Sequence, residues 1–409
     1  MNLEGINKVF FIGIGGIGMS ALARYFNRKG CIVAGYDKVS TSLTDELIIE
    51  GIDIHFLDDT MNLPEWAQDV SAEVLIVYTP AIPKDHNEYN FLKDVGFVPM
   101  KRSEVLGMIT KESVTVAVAG THGKTTTSSL LAHIFTETKF GCNAFLGGIA
   151  TNYNSNVLVD PDSNTVVVEA DEYDRSFLTL YPDVAIVTSM DADHLDVYGE
   201  KDQLEESFKL FVDQIKEGGK LIRKAGLPLN EGITYSITGD ADYQAVDIAV
   251  HNGQYKFNLK HPGGIINDVT VGLPGSHNVE NAIAAFAVAC ELGIETAAIT
   301  KALHSFQGVK RRFEYHIKSA DLVYIDDYAH HPEELRACIQ SVREMYPDKK
   351  ITGVFQPHLY SRTRDFADGF AESLSELNEV ILLDIYPARE LPIEGITSAM
   401  LLDKIISAD

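Results

Sequence analysis

Short apolar runs rich in Val, Ile and Phe recur along the chain, and three of them lead through a special turn into a stretch with helical spacing. The first is Lys8–Ile12, followed by GIGGIG. The second is Val114–Ala119, followed by GTHGKTTT. The third is Leu322–Ile325, followed by DDYAHHPEE. Strands that alternate with helices predict parallel sheets covered on both faces, an α/β architecture. Three units are expected, 1–107, 108–312 and 313–409. The first ends near Lys101–Gly107, before the polar stretch ITKES. The third begins after the basic connector QGVKRRFE. Residues 247–273 are different in character. Alternation around an HNGQ turn and a PGG turn predicts antiparallel hairpins, and this small sheet is expected beside the parallel core. Three strands are expected in the third unit, around Leu322–Ile325, Ile351–Phe355 and Val380–Asp384.

Composition narrows the function classes. Of 409 residues, 45% are hydrophobic and 23% charged, as in ordinary globular proteins, and the net charge is −25. So acidic a chain is a poor general binder of nucleic acid or anionic membrane, because those partners are held by Lys and Arg. A small anion remains compatible, since backbone amides and a few local cations can hold one. Four scattered cysteines without CxxC spacing predict buried, reduced thiols. The N-terminus has no basic n-region, and no apolar run reaches the ~18 residues of a membrane span. A cytoplasmic protein is expected.

Gly13-Ile-Gly15-Gly16-Ile-Gly18 follows a strand and opens a helix. Asp37 ends the next strand, 19 residues beyond Gly18. Glycines let the backbone approach a diphosphate, the helix N-terminus supplies amide donors, and Asp37 can accept hydrogen bonds from a ribose. A nicotinamide dinucleotide and a UDP-sugar satisfy this physics equally.

The second loop, Gly120-Thr121-His122-Gly123-Lys124-Thr125-Thr126-Thr127, lies between a β-branched strand and a helix. Its amides can cradle phosphates, Lys124 can reach the terminal one, and the Thr125 hydroxyl can ligate Mg²⁺. Val118 stands where the longer GxxxxGK[ST] pattern has glycine, so this is a shortened form. Two further strands end in acids, at Glu169-Ala-Asp171-Glu172 and at Asp191-Ala-Asp193-His194. Mg²⁺ prefers oxygen ligands, so Glu169 is an easy candidate and His194 a less usual one; both also fit ordinary loop ends. A nicotinamide oxidoreductase needs only the first loop and an ordinary ATPase only the second. Both together suggest that ATP activates something attached to a nucleotide.

With FIGIGGIGMSALA, AGTHGKTTT, VVEADEYDRSF, TSMDADHLDVYG, PGSHNVENAIAA, GVKRRFE, DDYAHHPEE and FQPHLYSRTRD in this order, the chain resembles the Mur ligase family. The resemblance implies three domains: a Rossmann-like UDP-sugar domain, a central P-loop ATPase domain and a Rossmann-like closing domain. It implies ATP and Mg²⁺, with UDP-N-acetylmuramate and L-alanine as substrates joined through an acyl phosphate. Neither nucleic acid nor membrane is an expected partner, and a monomer or weak homodimer is expected. By the same resemblance, Lys124, Glu169 and His194 are catalytic, and Thr125, Glu169 and His194 hold metal. Gly120 to Thr126, Asn278, Asn281, Arg312, Asp327 and Tyr328 bind ATP. Gly15, Gly18, Met19, Ser20 and Asp37 bind the UDP-sugar; His330, His358 and Arg362 face the amino acid. Relatives with an arginine after the histidine of FQPH differ here, where Leu359 stands. Sister ligases carry a carbamylated lysine at a position that falls here on Phe208, so no carbamate is expected. Relatives continue past DIYPARELPIEG, and the third domain is expected to be incomplete.

Overall fold

The computed structural model describes every residue except 1, 2, 4, 192–200, 252–253, 389 and 409. Five strands, β1 (Lys8–Ile12), β2 (Ile32–Tyr36), β3 (Asp53–His55), β4 (Val74–Tyr78) and β5 (Met100–Lys101), form one sheet in the order 3-2-1-4-5. Every pairing in it is parallel. The buried core of β1, Val9 to Ile12, is fully apolar, as a strand covered on both faces requires. Helices α1 (Ile17–Arg28), α2 (Ser42–Ile49), α3 (Asn87–Asp94) and α4 (Arg102–Glu112) accompany the sheet. The order reverses between β1 and β4, so the crevice at the carboxyl ends opens beside the first glycine loop. Gly107, the expected boundary, falls within α4. That helix packs into an apolar cluster which includes Val9 and Phe11 of the first sheet and Ala117 and Val168 of the second.

The second sheet has ten strands. They are β6 (Val114–Ala119), β7 (Asn143–Ala150), β8 (Ser155–Leu158), β9 (Thr165–Glu169), β10 (Val184–Val187), β11 (Lys220–Lys224), β12 (Ile233–Ser236), β13 (Tyr243–His251), β14 (Gln254–His261) and β15 (Gly264–Thr270). Their order is 15-14-13-12-11-10-6-9-7-8. The antiparallel hairpins are therefore not a separate sheet. β13 begins at Tyr243, before the expected 247, and pairs parallel with β12 through Tyr235↔Tyr243, which carries the central sheet straight into the hairpins. Helices α5 (Lys124–Glu137), α6 (Lys201–Val212), α7 (Ser276–Glu291) and α8 (Thr296–Ser305) belong to this part of the chain. α5 and α7 are buried along most of their length. Phe208 of α6 is fully buried against Phe177.

The last part holds β16 (Glu314–Lys318), β17 (Val323–Asp326), β18 (Thr352–Phe355) and β19 (Glu379–Leu382). Its helices are α9 (Pro332–Met345), α10 (Tyr360–Asp365), α11 (Ala367–Ser375) and α12 (Ser398–Ala408). β16 is a strand the sequence pattern did not show. It pairs antiparallel with β17, while β18 and β19 form a separate parallel pair. Among the described residues no ladder joins β17 to β18, so the expected three strands do not make one sheet. Of the four cysteines expected to be buried only Cys142 is; Cys31, Cys290 and Cys338 are half-buried, and all four are unpaired. No helix among the described residues is long and apolar enough to cross a membrane.

Candidate functional site

β6 lies between β9 and β10, so the loop after it opens where the carboxyl ends of three parallel strands meet. Glycine is required twice in this loop. Gly120 has φ +134°, and a Cβ there would lie 2.0 Å from Thr188 Oγ1. Gly123, φ +83°, caps α5, and its Cβ would lie 2.6 Å from Asn281 Oδ1. Thr188 and Ser189, just past β10, bind the loop from the side: the Thr121 and Ser189 hydroxyls are 2.9 Å apart, and the His122 amide donates to Ser189 Oγ at 2.7 Å. The first amides of α5 thus face a cavity of about 460 Å³ with its dipole end positive.

Of the residues expected to bind ATP, all but Gly120 and Tyr328 line this cavity, from Thr121 to Thr126 on one side to Asn278, Asn281, Arg312 and Asp327 on the others. Tyr328 is one step removed, its ring 5.5 Å from the Arg312 guanidinium carbon. Residues more than 200 positions apart in sequence therefore converge. Asn278 and Asn281 are buried on the first turns of α7, where Asn278 Nδ2 donates to Pro274 O at 2.6 Å.

Lys124 points back along the loop. Its Nζ donates to Gly120 O at 2.6 Å and to both oxygens of Glu172 at 2.7 and 2.9 Å. Glu172 is fully buried. Burial alone would lower the Lys124 pKa; the carboxylates of Glu172, Asp171 and Glu169 outweigh it and raise the value, so the amine stays charged. Thr125 Oγ1 donates to Glu169 Oε1 at 3.0 Å, and the Gly147 amide donates to Glu169 Oε2 at 3.0 Å. Burial holds the Glu169 pKa above its ordinary value, against the pull of Lys124. A hydroxyl and a carboxylate 3.0 Å apart at the mouth of a phosphate cradle are the hard oxygen donors Mg²⁺ selects. His194, the third expected metal ligand, lies outside the described residues.

The third part of the chain closes over the cradle. Glu334 of α9 approaches His122 of the loop, Oε1 to Nδ1 3.2 Å, and stands 3.8 Å from Arg312 Nη1. Burial pushes its pKa up, but the His122 hydrogen bond and the charges of His330, His122 and Arg312 hold it well below the carboxylate range. Glu334 and Glu172 were both missed as candidates. Glu172 stood inside the quoted acidic string, and Glu334 inside HHPEE, but a partner 48 or 212 residues away leaves no local signature. His330 and His358, expected near the amino acid, come together with ring centres 6.2 Å apart. Arg362 follows on α10, which starts after Leu359, a residue with φ +70°.

At the first loop Asp37 accepts from the Gly15 amide at 2.7 Å and from the Val39 amide at 3.3 Å. It therefore fastens the loop. Ser20, expected at the UDP-sugar site, is engaged within the protein. It is fully buried, its hydroxyl donates to Ile17 O and accepts from Asn156, and its amide is spent on Gly16 O. The Asn156 contact ties α1 to β8 of the second sheet. Met19 has a buried side chain, and only its amide, in the first turn of α1, can serve.

Two buried groups of the cavity at the second glycine loop titrate in opposite senses. Burial and then Arg312 pull His277 down to about 4; burial raises Asp327 to about 6. Unfolding returns His277 to its ordinary, higher value, so its contribution is present above about pH 6.5 and is lost as pH falls toward 4. Asp327 favours the folded state below about pH 4 and loses that advantage as pH rises through 6. Each effect is on the order of 3 kcal/mol. They offset each other in the wild type. In denaturant unfolding at pH 7, 5 and 4, Asp327→Asn is expected to lose stability as pH falls, and His277→Asn to gain it; parallel curves for both variants would contradict the assignment.

Comparison with known proteins agrees with this geometry. Family models match along nearly the whole chain: the Mur ligase family catalytic domain at residues 8–113, the Mur ligase middle domain at 118–289 and the glutamate ligase domain of Mur ligases at 311–408. The chain is 55% identical to UDP-N-acetylmuramate–L-alanine ligase of Christiangramia forsetii, over 99% of this chain and 89% of the relative. It is 51% identical to the protein of the same name from Porphyromonas gingivalis, over 98% and 89%. The crystal structure of UDP-N-acetylmuramate-alanine ligase from Thermotoga maritima superposes with a TM-score of 0.82 at 28% identity, covering 98% of this chain and 88% of that one.

Proposed function

The chain belongs to the Mur ligase family, and from that premise we propose that it joins L-alanine to UDP-N-acetylmuramate at the expense of ATP, as a carbon–nitrogen ligase of peptidoglycan precursor synthesis. One observation carries the mechanism. Glu169 lines the ATP cavity and also lines a second cavity bounded by Ile17 and Gly18 of the first glycine loop. The two cradles therefore open toward one carboxylate, as a reaction between their ligands demands.

The chemistry follows from what a carboxylate lacks. It has no leaving group, so the lactyl carboxylate of the sugar first takes the terminal phosphoryl group of ATP. The alanine amine then attacks the carbonyl, and phosphate leaves. The work of the chain is positioning and charge neutralisation. Lys124 exchanges Glu172 for the terminal phosphate, the amides of α5 hold the other phosphates, and Asn278 and Asn281 face the base. Thr125 and Glu169, with His194 as a further candidate, would hold Mg²⁺, which neutralises charge between the phosphate and the carboxylate. His330, His358 and Arg362 receive L-alanine, with Arg362 as the partner of its carboxylate. ATP and nucleotide sugars are held in the cytoplasm, which is the location this reading assigns. A nicotinamide oxidoreductase would leave the Lys124 cradle without a task.

Phosphate release that requires UDP-N-acetylmuramate and L-alanine together tests the reading. Release with the sugar and a tripeptide, and none with L-alanine, would assign the chain to a sister ligase instead. Glu169→Ala is expected to lower kcat about 10²–10³-fold while changing UDP-sugar affinity less than about threefold, since its partners sit at the reacting centre. Calorimetry showing lost UDP-sugar binding with intact turnover would contradict that role.

A further inference from the structure

Glu334 is the third residue of α9, after the cap His331 and Pro332. A carboxylate at this position commonly reaches back to cap its own helix, and one oxygen does so: Oε2 accepts from the His330 amide at 3.0 Å. A cap needs no second oxygen. Oε1 instead leaves the helix for the second glycine loop, where it lies 3.2 Å from His122 Nδ1 and 3.8 Å from Arg312 Nη1. Both of these residues line the cavity proposed for ATP.

Oε2 faces the other way. Besides the amide, it stands 3.4 Å from His330 Nδ1, and that nitrogen is 2.8 Å from Tyr328 O. With two acceptors before it, Nδ1 carries a proton and donates, so the ring is held in one orientation. The His330 ring centre is in turn 6.2 Å from that of His358. One carboxylate, 16% exposed, therefore has one oxygen on the nucleotide loop and the other on a wall of the proposed alanine pocket. Burial works against its charge, and His122, His330 and Arg312 hold it ionised. A carboxylate is a rigid plane, so neither oxygen moves without disturbing the partner of the other.

We propose that Glu334 is a positioning residue that couples the two pockets: order imposed on the second glycine loop by ATP passes through Glu334 to His330 and raises the affinity for L-alanine. This rests on the reading of His330, His358 and Arg362 as the amino-acid pocket. Linkage makes the effect reciprocal, so L-alanine tightens the nucleotide by the same factor. L-alanine is titrated calorimetrically into protein saturated with UDP-N-acetylmuramate, with and without a non-hydrolysable ATP analogue. In the wild type the analogue is expected to tighten L-alanine about tenfold or more. Glu334→Gln keeps an acceptor for the His330 amide, and with it the cap, but loses the charge that holds His122 and Arg312. It is expected to bring the ratio of the two affinities to within about threefold of unity. His122→Asn cuts the same link from the loop and should lower the ratio alike, and the double variant should lower it no further. In turnover, KM for L-alanine rises in Glu334→Gln by a larger factor than kcat falls. A residue that merely braces the fold would weaken L-alanine equally with and without the analogue, leaving the ratio as in the wild type; that result overturns the coupling. A wild type in which the analogue leaves L-alanine affinity unchanged overturns it too. Should Glu334→Gln not fold, His122→Asn decides by the same ratio. Arg362→Ala tests the pocket itself: undiminished L-alanine affinity there overturns the reading of the pocket, and the coupling falls with it.

Discussion

Lys124→Ala is expected to lower kcat for UDP-sugar- and alanine-dependent phosphate release on the order of 10³-fold, with the ATP analogue still bound. Asn278, Asn281 and Arg312 line other walls of the cavity, and on the proposed reading they still hold the adenosine end, so binding is expected to survive. What disappears is the charge that meets the phosphoryl group in transit. Lys124 Nζ lies at the loop, 2.6 Å from Gly120 O, and needs only a change of anion partner to reach a phosphate. Lys124→Arg is expected to fail nearly as badly. The amine sits between a backbone carbonyl and both oxygens of a fully buried carboxylate, and a planar fork does not fit a pocket shaped for a point charge. Single-turnover measurements with the sugar, L-alanine and ATP give the rate directly. A variant that turns over within tenfold of wild type would remove Lys124 from the chemistry and with it the phosphate-cradle reading of this loop.

Both glycine loops were legible in the sequence, and the phosphate cradle proposed for each is a local device. It uses consecutive amides and glycines whose φ is positive, as at Gly120 and Gly123, and such demands are written contiguously. The α/β architecture was legible for a similar reason, since each strand–turn–helix unit is a short-range pattern. What lay outside that range was invisible or misplaced. Glu172 meets Lys124 and Glu334 meets His122, and each pair is brought together only by the packing of segments far apart in sequence. Ser20 was expected at the UDP-sugar site by resemblance, and the donation of Asn156 from the second sheet to its hydroxyl has no sequence signature. The hairpins after residue 243 read as an insertion because their alternation differs from the parallel strands; the Tyr235↔Tyr243 pairing that fuses them to the central sheet has no sequence signature. β16 escaped because its residues, EYHIK, are half-buried or exposed and carry no apolar run.

Glu172→Ala is expected to destabilise the ligand-free protein by about 3–5 kcal/mol, the largest loss expected from any single change at this site. Lys124 is 12% exposed and Glu172 not at all, so truncating the acid leaves a buried ammonium with only carbonyl partners and the longer-range charge of Asp171 and Glu169. The uncharged Glu172→Gln keeps the shape and one hydrogen-bond acceptor, and is expected to lose less. Removing both charges together, as Lys124→Met with Glu172→Ala, should cost less than the two single losses added, because neither group is then left uncompensated. Chemical denaturation of the four proteins gives that coupling. An ATP analogue adds a second readout. Its phosphate offers Lys124 a new anion, which replaces a lost partner in Glu172→Ala but must displace a good one in the wild type. The analogue is therefore expected to raise the melting temperature of Glu172→Ala more than that of the wild type, and its affinity for the variant to be the higher of the two. Additive losses, with equal stabilisation of both proteins by the analogue, would show that Glu172 merely fills space and that Lys124 has no exchange of partners to make.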